Sequence, residues 1–298
     1  SGSGNSIIDD QFSDQQVALV DKGERFGGTC LNVGCIPTKM YVYPAELASS
    51  PERAERVGVS IGNVHADWPG IRDRIFGRID PISEGGEQWR RSNANVTLYR
   101  EAASFTGPKQ LLVGDETITA DKFVLAAGSR PQIPVLKGMD DPRVAERVHT
   151  SDDIMRLPGL PKSLVIIGGG FVAAEFAHVF ASFGTEVTML QRSEVLLRKE
   201  DADIAQAFTE ELAKRVNVRL KQRVIGIECT ERDTVIVESV DPDGMHYDFE
   251  AEQVLIALGR VPNGDLLNLA ATGVTTHPDG RVVVDEHQQT VVKGIFAL

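Results

Sequence analysis

Gly27-Gly28-Thr29-Cys30-Leu31-Asn32-Val33-Gly34-Cys35-Ile36-Pro37-Thr38-Lys39 holds two of the chain's three cysteines, five positions apart. A helix opening after the glycines places both sulfurs in its first turn, where free backbone N–H groups and the helix dipole favour an anion, and therefore a thiolate. Lys39, one turn after Cys35, adds a positive charge, and Gly27, Gly28 and Gly34 let a planar ligand approach the backbone closely. Two other readings compete with a reactive pair: ordinary thiols, or half of a zinc site. Zinc fits poorly, because structural sites favour C-x2-C spacing and four ligands. This pair has four intervening residues, no second pair, and six histidines scattered along the chain.

On the N-terminal side, Gln16-Val17-Ala18-Leu19-Val20-Asp21 is an apolar strand ending in an acid, about twenty residues after a small-residue run. That run, Ser1 to Ser6, alone reads as a flexible linker. Its Gly2, Ser3 and Gly4, with a short helix expected over 7–12, instead give the second half of a dinucleotide-binding turn, and Asp21 is placed to hold a ribose hydroxyl. The strand that should precede the turn is missing, as is the first glycine of G-x-G-x-x-G, and Asn5 stands where the third belongs.

On the C-terminal side, 44–101 reads as mainly helix, broken near 58–68, with Arg90 and Arg91 on a solvated face. Short alternating runs at 110–113 and 117–119, punctuated by Gly107-Pro108 and Gly114-Asp115, predict a small antiparallel meander. Phe123 to Pro131 is a buried strand closed by a breaker. Leu164-Val165-Ile166-Ile167 followed by Gly168-Gly169-Gly170-Phe171-Val172-Ala173 is a strand, a glycine turn and a helix in which the fingerprint is whole. Gly168 permits the tight turn, Gly170 admits pyrophosphate to the helix N-terminus, and Ala173 lets helix and strand pack closely.

The next strand, Glu186 to Leu190, ends in Gln191-Arg192 where an NAD binder usually places an acid. A ribose 2′-hydroxyl then lacks its carboxylate, and a 2′-phosphate gains an arginine. Ile204, Phe208 and Leu212 recur at helical spacing and read as core. Strands at 234–240 and 245–249 flank the turn Asp241-Pro242-Asp243-Gly244, and Cys229 reads as a buried structural thiol.

With 298 residues the chain is long enough for about two domains, and 42% apolar with 25% charged residues is ordinary for a soluble globular protein. A formal charge of −12 argues against a general nucleic-acid or anionic-membrane surface while leaving room for one basic pocket. Glu175, His178 and three consecutive glycines interrupt the most apolar segment, 163–184, so it is not a membrane span. Three cysteines make no disulfide framework, which together with the lack of a signal-peptide pattern suggests a reducing cytoplasm, where a disulfide is usually catalytic.

The segment GGTCLNVGCIPTK resembles the redox-disulfide signature of the FAD-dependent pyridine nucleotide-disulfide oxidoreductases. Within that family, Thr38 and Met40 to Glu46 are most similar to the mycothione reductases, which reduce a low-molecular-weight disulfide. The resemblance implies FAD and a pyridine nucleotide, a Cys30–Cys35 disulfide with Cys35 against the flavin and Cys30 facing substrate, and a Lys39–Glu175 pair beside the flavin. It adds Gly28, Thr29, Ala103, Ala127 and Gly128 to the flavin side, where Gly2, Ser3, Gly4 and Asp21 already stand. On the nucleotide side it adds Gly169, Val172, Glu175, Gly259, Phe171 as the cover of the nicotinamide pocket, and Arg198 as a second phosphate-binding arginine, which selects NADPH.

The fold class expected is α/β with two doubly wound Rossmann-like domains: a flavin domain at 1–151 and 264–298, and an NADPH domain at 152–263. The resemblance also implies a fragment, lacking the flavin domain's first strand, the acidic ribityl ligand and an interface domain that carries the dimer contact and a His-Glu pair. The alternatives are a dihydrolipoamide dehydrogenase using NAD, a mercuric or glutathione reductase-like member, or a nucleotide-binding module without turnover. Arg192 and Arg198 oppose the first, and mercury chemistry would want cysteines that are absent.

Overall fold

The computed structural model describes Gly4, Ile8 and residues 12–298, so Gly2, Ser3 and most of the helix expected over 7–12 lie outside the described residues. The chain separates into two compact units, Ser1–Ile36 with Phe76–Arg130 and Arg260–Leu298, and Pro37–Ile75 with Pro131–Gly259. Helices α1 (Gly28–Asn32), α2 (Cys35–Ala48), α3 (Ser50–Glu55) and α4 (Trp68–Ser92) lie before the meander, and α5 (Phe171–Ser182) and α6 (Ala202–Leu212) follow it. Among the described residues no helix is long and apolar enough to cross a membrane.

In the first unit, Val17–Val20 pairs in parallel with Val96–Tyr99, and Phe123–Leu125 pairs in parallel with Ile295–Ala297. The expected meander is present as antiparallel strands Ala103–Gly107, Gln110–Val113 and Glu116–Thr119. Its core gathers Phe105, Phe123, Leu125, Leu269, Val274, Ile295 and Ala297, with Phe105 and Phe123 edge to face at 5.2 Å.

The second unit is built on a five-stranded parallel sheet in the order Asn217–Arg219, Glu186–Leu190, Ser163–Ile167, Gln253–Ile256, Val148–His149. The run Leu164 to Ile167 is buried throughout, as a strand covered on both faces must be. Ala173 and Ala177 on α5 are fully buried, small enough to let the helix lie close on the sheet. The antiparallel strands Arg223–Cys229, Val235–Val240 and His246–Ala251 supply Ile227, Val235 and Val237 to a core shared with Val165, Ile167, Leu190, Val254 and Ile256.

An aromatic wedge fixes α2 in the same unit. Trp68 stacks on Phe180 of α5 at 5.2 Å and meets Tyr41 of α2 at 5.0 Å, and all three are buried. The polar tips are satisfied: Trp68 Nε1 donates to the Leu157 carbonyl at 2.8 Å and the Tyr41 hydroxyl to the Met155 carbonyl at 2.6 Å. Burial pushes the Tyr41 hydroxyl far above the usual tyrosine range.

Several expectations are corrected. The cysteines do not share the first turn of one helix: Cys30 sits in α1, and Cys35 opens α2 after a break at Val33 (φ −143°). A Cβ at Gly34 would lie 2.8 Å from the Thr29 carbonyl, so the chain reverses there only because the residue is glycine. Of the expected apolar stripe on α6, Leu212 is buried and Phe208 half-buried, but Ile204 is 57% exposed, and the helix buries Ala205 and Thr209 in its place. Arg90 is half-buried, its guanidinium 4.4 Å from the Trp89 ring and 5.7 Å from Phe26, and burial lowers its pKa. Residues 96–99, expected within the helical stretch, form a strand, and Cys229 is only partly buried.

Candidate functional site

Cys30 and Cys35 form a disulfide with Cα atoms 4.8 Å apart, and both residues are exposed. The buried Asn32 holds the loop between them, its side-chain amide donating to the carbonyls of Phe26 at 2.9 Å and Gly28 at 3.1 Å. Ser83 donates to the same Phe26 carbonyl at 2.6 Å. Cys35 is the first residue of a 14-residue helix, so its sulfur sits where unsatisfied N–H groups and the helix dipole favour a thiolate. Cys30 belongs to a helix of only five residues and receives less of that stabilisation.

Lys39 lies one turn along α2 and forms an ion pair with Glu175 of α5. The two residues predicted to face each other from 136 positions apart are therefore in contact. Thr38, beside Lys39, is buried with its hydroxyl 3.7 Å from the Met155 sulfur. Further along the same two helices, His178 Nε2 approaches Glu46 at 3.4 Å, while its Nδ1 is 3.1 Å from Arg215. Burial and the Arg215 charge lower the His178 pKa.

The glycine turn sits at the C-terminal end of the central strand Ser163–Ile167, where open α/β sheets bind ligands. Gly168 has φ +131°, and a Cβ there would lie 2.4 Å from the Ala257 carbonyl. Gly170 caps α5 with no side-chain hydrogen bond, and a Cβ on it would meet nothing within 4 Å. Free N–H groups at a helix N-terminus and open space above them fit a pyrophosphate. Phe171 is 72% exposed beside this opening, Val172 is half-buried and Ala173 buried.

Gln191 turns inward. Its backbone bonds to Arg219 and Gln222, its side-chain oxygen accepts from Arg192 N at 3.0 Å, and the loop it organises presents Arg192 outward. Leu197 N donates to Gly169 O at 2.7 Å, which brings Arg198 next to the glycine turn. Arg192 and Arg198 are exposed, and neither makes an ion pair among the described residues. In a chain with net charge −12, two such arginines beside a glycine turn fit a phosphate. The loop's own acid, Glu194, is taken up by Lys221 at 2.8 Å, which holds the Glu194 carboxyl below its usual range.

The residues expected on the flavin side are more dispersed. Asp21 ends its strand with its Oδ1 accepting from Gly23 N at 2.8 Å and lying 3.4 Å from Arg100. Arg100 also donates to the Asp21 carbonyl at 2.8 Å and to the Gly23 carbonyl. Gly4 is buried, Gly28 is half-buried with φ +79°, Thr29 is exposed, and Ala103 opens the meander. Ala127 and Gly128 are exposed, and their carbonyls accept from Asn263 at 2.9 Å each, side chain and backbone respectively. No neighbour lies within 4 Å of a Cβ built on Gly128, which leaves room for a flat ring. Gly259 is exposed with φ +113° and its carbonyl accepts from Gln132 N.

Asn32, Arg100 and the carbonyls of Met155 and Leu157 hold the site but were not singled out from sequence. Asn32 lies inside the quoted motif, and the rest are partners far away in the chain with no local signal.

Residues 9–298 match the family model described as pyridine nucleotide-disulphide oxidoreductase. The chain belongs to this family. It is 43% identical to mycothione reductase of Mycobacterium tuberculosis across 100% of this chain and 64% of that one. It is 33% identical to dihydrolipoyl dehydrogenase of Halobacterium salinarum across 95% of this chain and 60% of the relative. Among solved structures it superposes on the Cu(II) complex of the HOCl-induced flavoprotein disulfide reductase RclA from Escherichia coli with a TM-score of 0.82 at 26% identity, over 97% of this chain and 61% of that one. The α/β fold is shared, and the chain spans less than two thirds of the length of each of these relatives.

Proposed function

We propose that the full-length protein is an NADPH-dependent flavoprotein disulfide reductase acting on a low-molecular-weight thiol disulfide, with mycothiol disulfide the first candidate. The observation that carries this reading is the disulfide joining Cys30 of α1 to Cys35 at the head of α2, the helix whose Lys39 pairs with Glu175 on the glycine-turn helix. Similarity to mycothione reductase supports the substrate. Arg192 and Arg198, free of acidic partners among the described residues, support NADPH over NADH. We assign the flavin to segments 1–151 and 264–298 and the nucleotide to 152–263, and a homodimer in a reducing cytoplasm completes the proposal.

Bound flavin would supply a two-electron relay between nicotinamide and disulfide. The glycine turn with Phe171 and Val172 would hold the nucleotide's pyrophosphate, Arg192 and Arg198 its 2′-phosphate, and Asp21, Gly28, Thr29, Ala103, Ala127 and Gly128 the flavin. Lys39, ion-paired with Glu175, would stand beside the bound flavin.

In the reduced pair, the Cys30 thiolate attacks one sulfur of the substrate disulfide. A mixed disulfide forms, and the first thiol leaves as a thiolate that takes up a proton. Cys35, at the α2 N-terminus where the helix dipole favours an anion, then attacks the Cys30 sulfur, restores the Cys30–Cys35 disulfide and expels the second thiol.

The test is the steady-state rate of NADPH oxidation by the full-length protein with mycothiol disulfide, glutathione disulfide, lipoamide and Hg(II). Turnover selective for mycothiol disulfide supports the proposal. Lipoamide turnover with NAD and none with NADPH overturns it.

A further inference from the structure

We propose that Arg219 is a third cation of the 2′-phosphate site and helps the protein choose between NADPH and NADH. The inference deepens the NADPH reading and rests on it. Arg219 ends the strand Asn217–Arg219, and in the parallel register it lies opposite Leu190. Adjacent strands run about 4.8 Å apart, so Arg219 sits one strand over from a position two residues before Arg192. Its carbonyl accepts from Gln191 N at 2.9 Å, which ties it to the residue that shapes the arginine loop.

Paired residues of parallel strands point to the same face. Leu190 points into the core shared with Ile227, Val235 and Val237, and Arg219 points to the same side, where its guanidinium lies 5.8 Å from the Tyr247 ring and 5.7 Å from Phe249. Two rings restrict the side chain to few rotamers, so little conformational entropy remains to be lost on binding. Stacking uses the face of the guanidinium and leaves its N–H edge for an anion. Tyr247 is itself fixed, donating to Asp241 at 3.0 Å.

The pairing of charges around the loop points the same way. Glu194, the carboxylate inside the arginine loop, is held by Lys221, whose backbone N–H also donates to Ser193 O at 3.2 Å. Arg192, Arg198 and Arg219 are all exposed, and none makes an ion pair among the described residues. A chain carrying 43 acids and 31 basic residues has acids to spare, so three unpaired arginines around one strand end describe a site for an anion.

Isothermal titration of the full-length protein with adenosine 2′,5′-bisphosphate and with ADP, which lacks the 2′-phosphate, tests this. Arg219→Gln should weaken the bisphosphate by about tenfold, as loss of a charge-assisted contact does, and leave ADP within about twofold. Arg219→Lys should recover part of the loss, and the bisphosphate affinity should lose some of its salt dependence in Arg219→Gln. If Arg219→Gln weakens both ligands equally, or neither, while Arg192→Ala with Arg198→Ala weakens only the bisphosphate, the role of Arg219 is overturned and the NADPH reading stands. If that double variant also fails to discriminate, the NADPH reading falls and this inference falls with it.

Discussion

Lys39 on α2 and Glu175 on α5 form an ion pair that ties the helix headed by Cys35 to the helix headed by the glycine turn. Both side chains are partly exposed, at 61% and 32%, so the pair contributes at most about 1 kcal/mol to stability. The proposed mechanism gives the pair a larger role, beside the bound flavin. Glu175→Gln should leave thermal unfolding nearly unchanged yet slow reduction of the flavin-loaded full-length protein by NADPH by roughly tenfold or more, about 1.4 kcal/mol of barrier. An unchanged rate would reduce the pair to a structural contact.

The aromatic wedge accounts for the seating of α2. Tyr41→Phe leaves the buried Met155 carbonyl without the hydroxyl that donates to it, and the cost should be about 1–3 kcal/mol in urea unfolding. Trp68→Ala removes a ring packed on both Tyr41 and Phe180 and should cost about 3–5 kcal/mol. Losses under about 0.5 kcal/mol, the scale of ordinary surface changes, would show that the wedge does not hold this unit together.

The arginine loop predicts nucleotide preference. Arg192→Ala with Arg198→Ala should weaken NADPH by tenfold or more, each lost charge-assisted bond contributing roughly 1.5–3 kcal/mol, and leave NADH little affected. Equal losses for the two nucleotides would mean that these arginines support the fold.

His178 gives a pH dependence with a defined sign. Its folded pKa is lowered from the ordinary 6.5 by burial and by Arg215, with Glu46 opposing and Arg53 assisting. The unfolded state therefore binds the proton more readily, and this residue's contribution to stability is lost as pH falls from 6.5 toward the folded value. His178→Gln should flatten the fall in unfolding free energy on acidification below pH 6.5. A steeper fall in the variant would show that protonation at His178 stabilises the fold through Glu46.

The two cysteines should differ in reactivity. In the reduced protein, limiting iodoacetamide should alkylate Cys30 first, because in the proposed mechanism the attacking thiol must reach substrate while Cys35 would be covered by bound flavin. Peptide mapping that finds Cys35 modified first would exchange the two roles.

Much of this arrangement is legible in the sequence where the chemistry is local. The strand, glycine turn and helix at 163–182, the hairpin at 241–244 and the meander after Gly107 all rest on short-range turn chemistry and period, and all are present. The Lys39–Glu175 contact spans 136 residues and came only from family resemblance. What was misread depends on tertiary context. The break between α1 and α2 depends on a clash that only glycine avoids at position 34, Ile204 is exposed because α6 turns Ala205 and Thr209 inward, and Arg90 is drawn over rings it could not be seen to meet. Gln191 read as a missing acid, whereas the structure shows it building the loop that displays Arg192.

The central claim is that the Cys30–Cys35 disulfide takes electrons from NADPH. The direct measurement is mass-spectrometric counting of alkylated thiols in the flavin-loaded full-length protein before and after anaerobic addition of NADPH, without any chemical reductant. The account predicts two newly alkylated residues per chain, Cys30 and Cys35, with Cys229 unchanged. A disulfide that persists in NADPH-treated protein shown to be folded and flavin-loaded would contradict it.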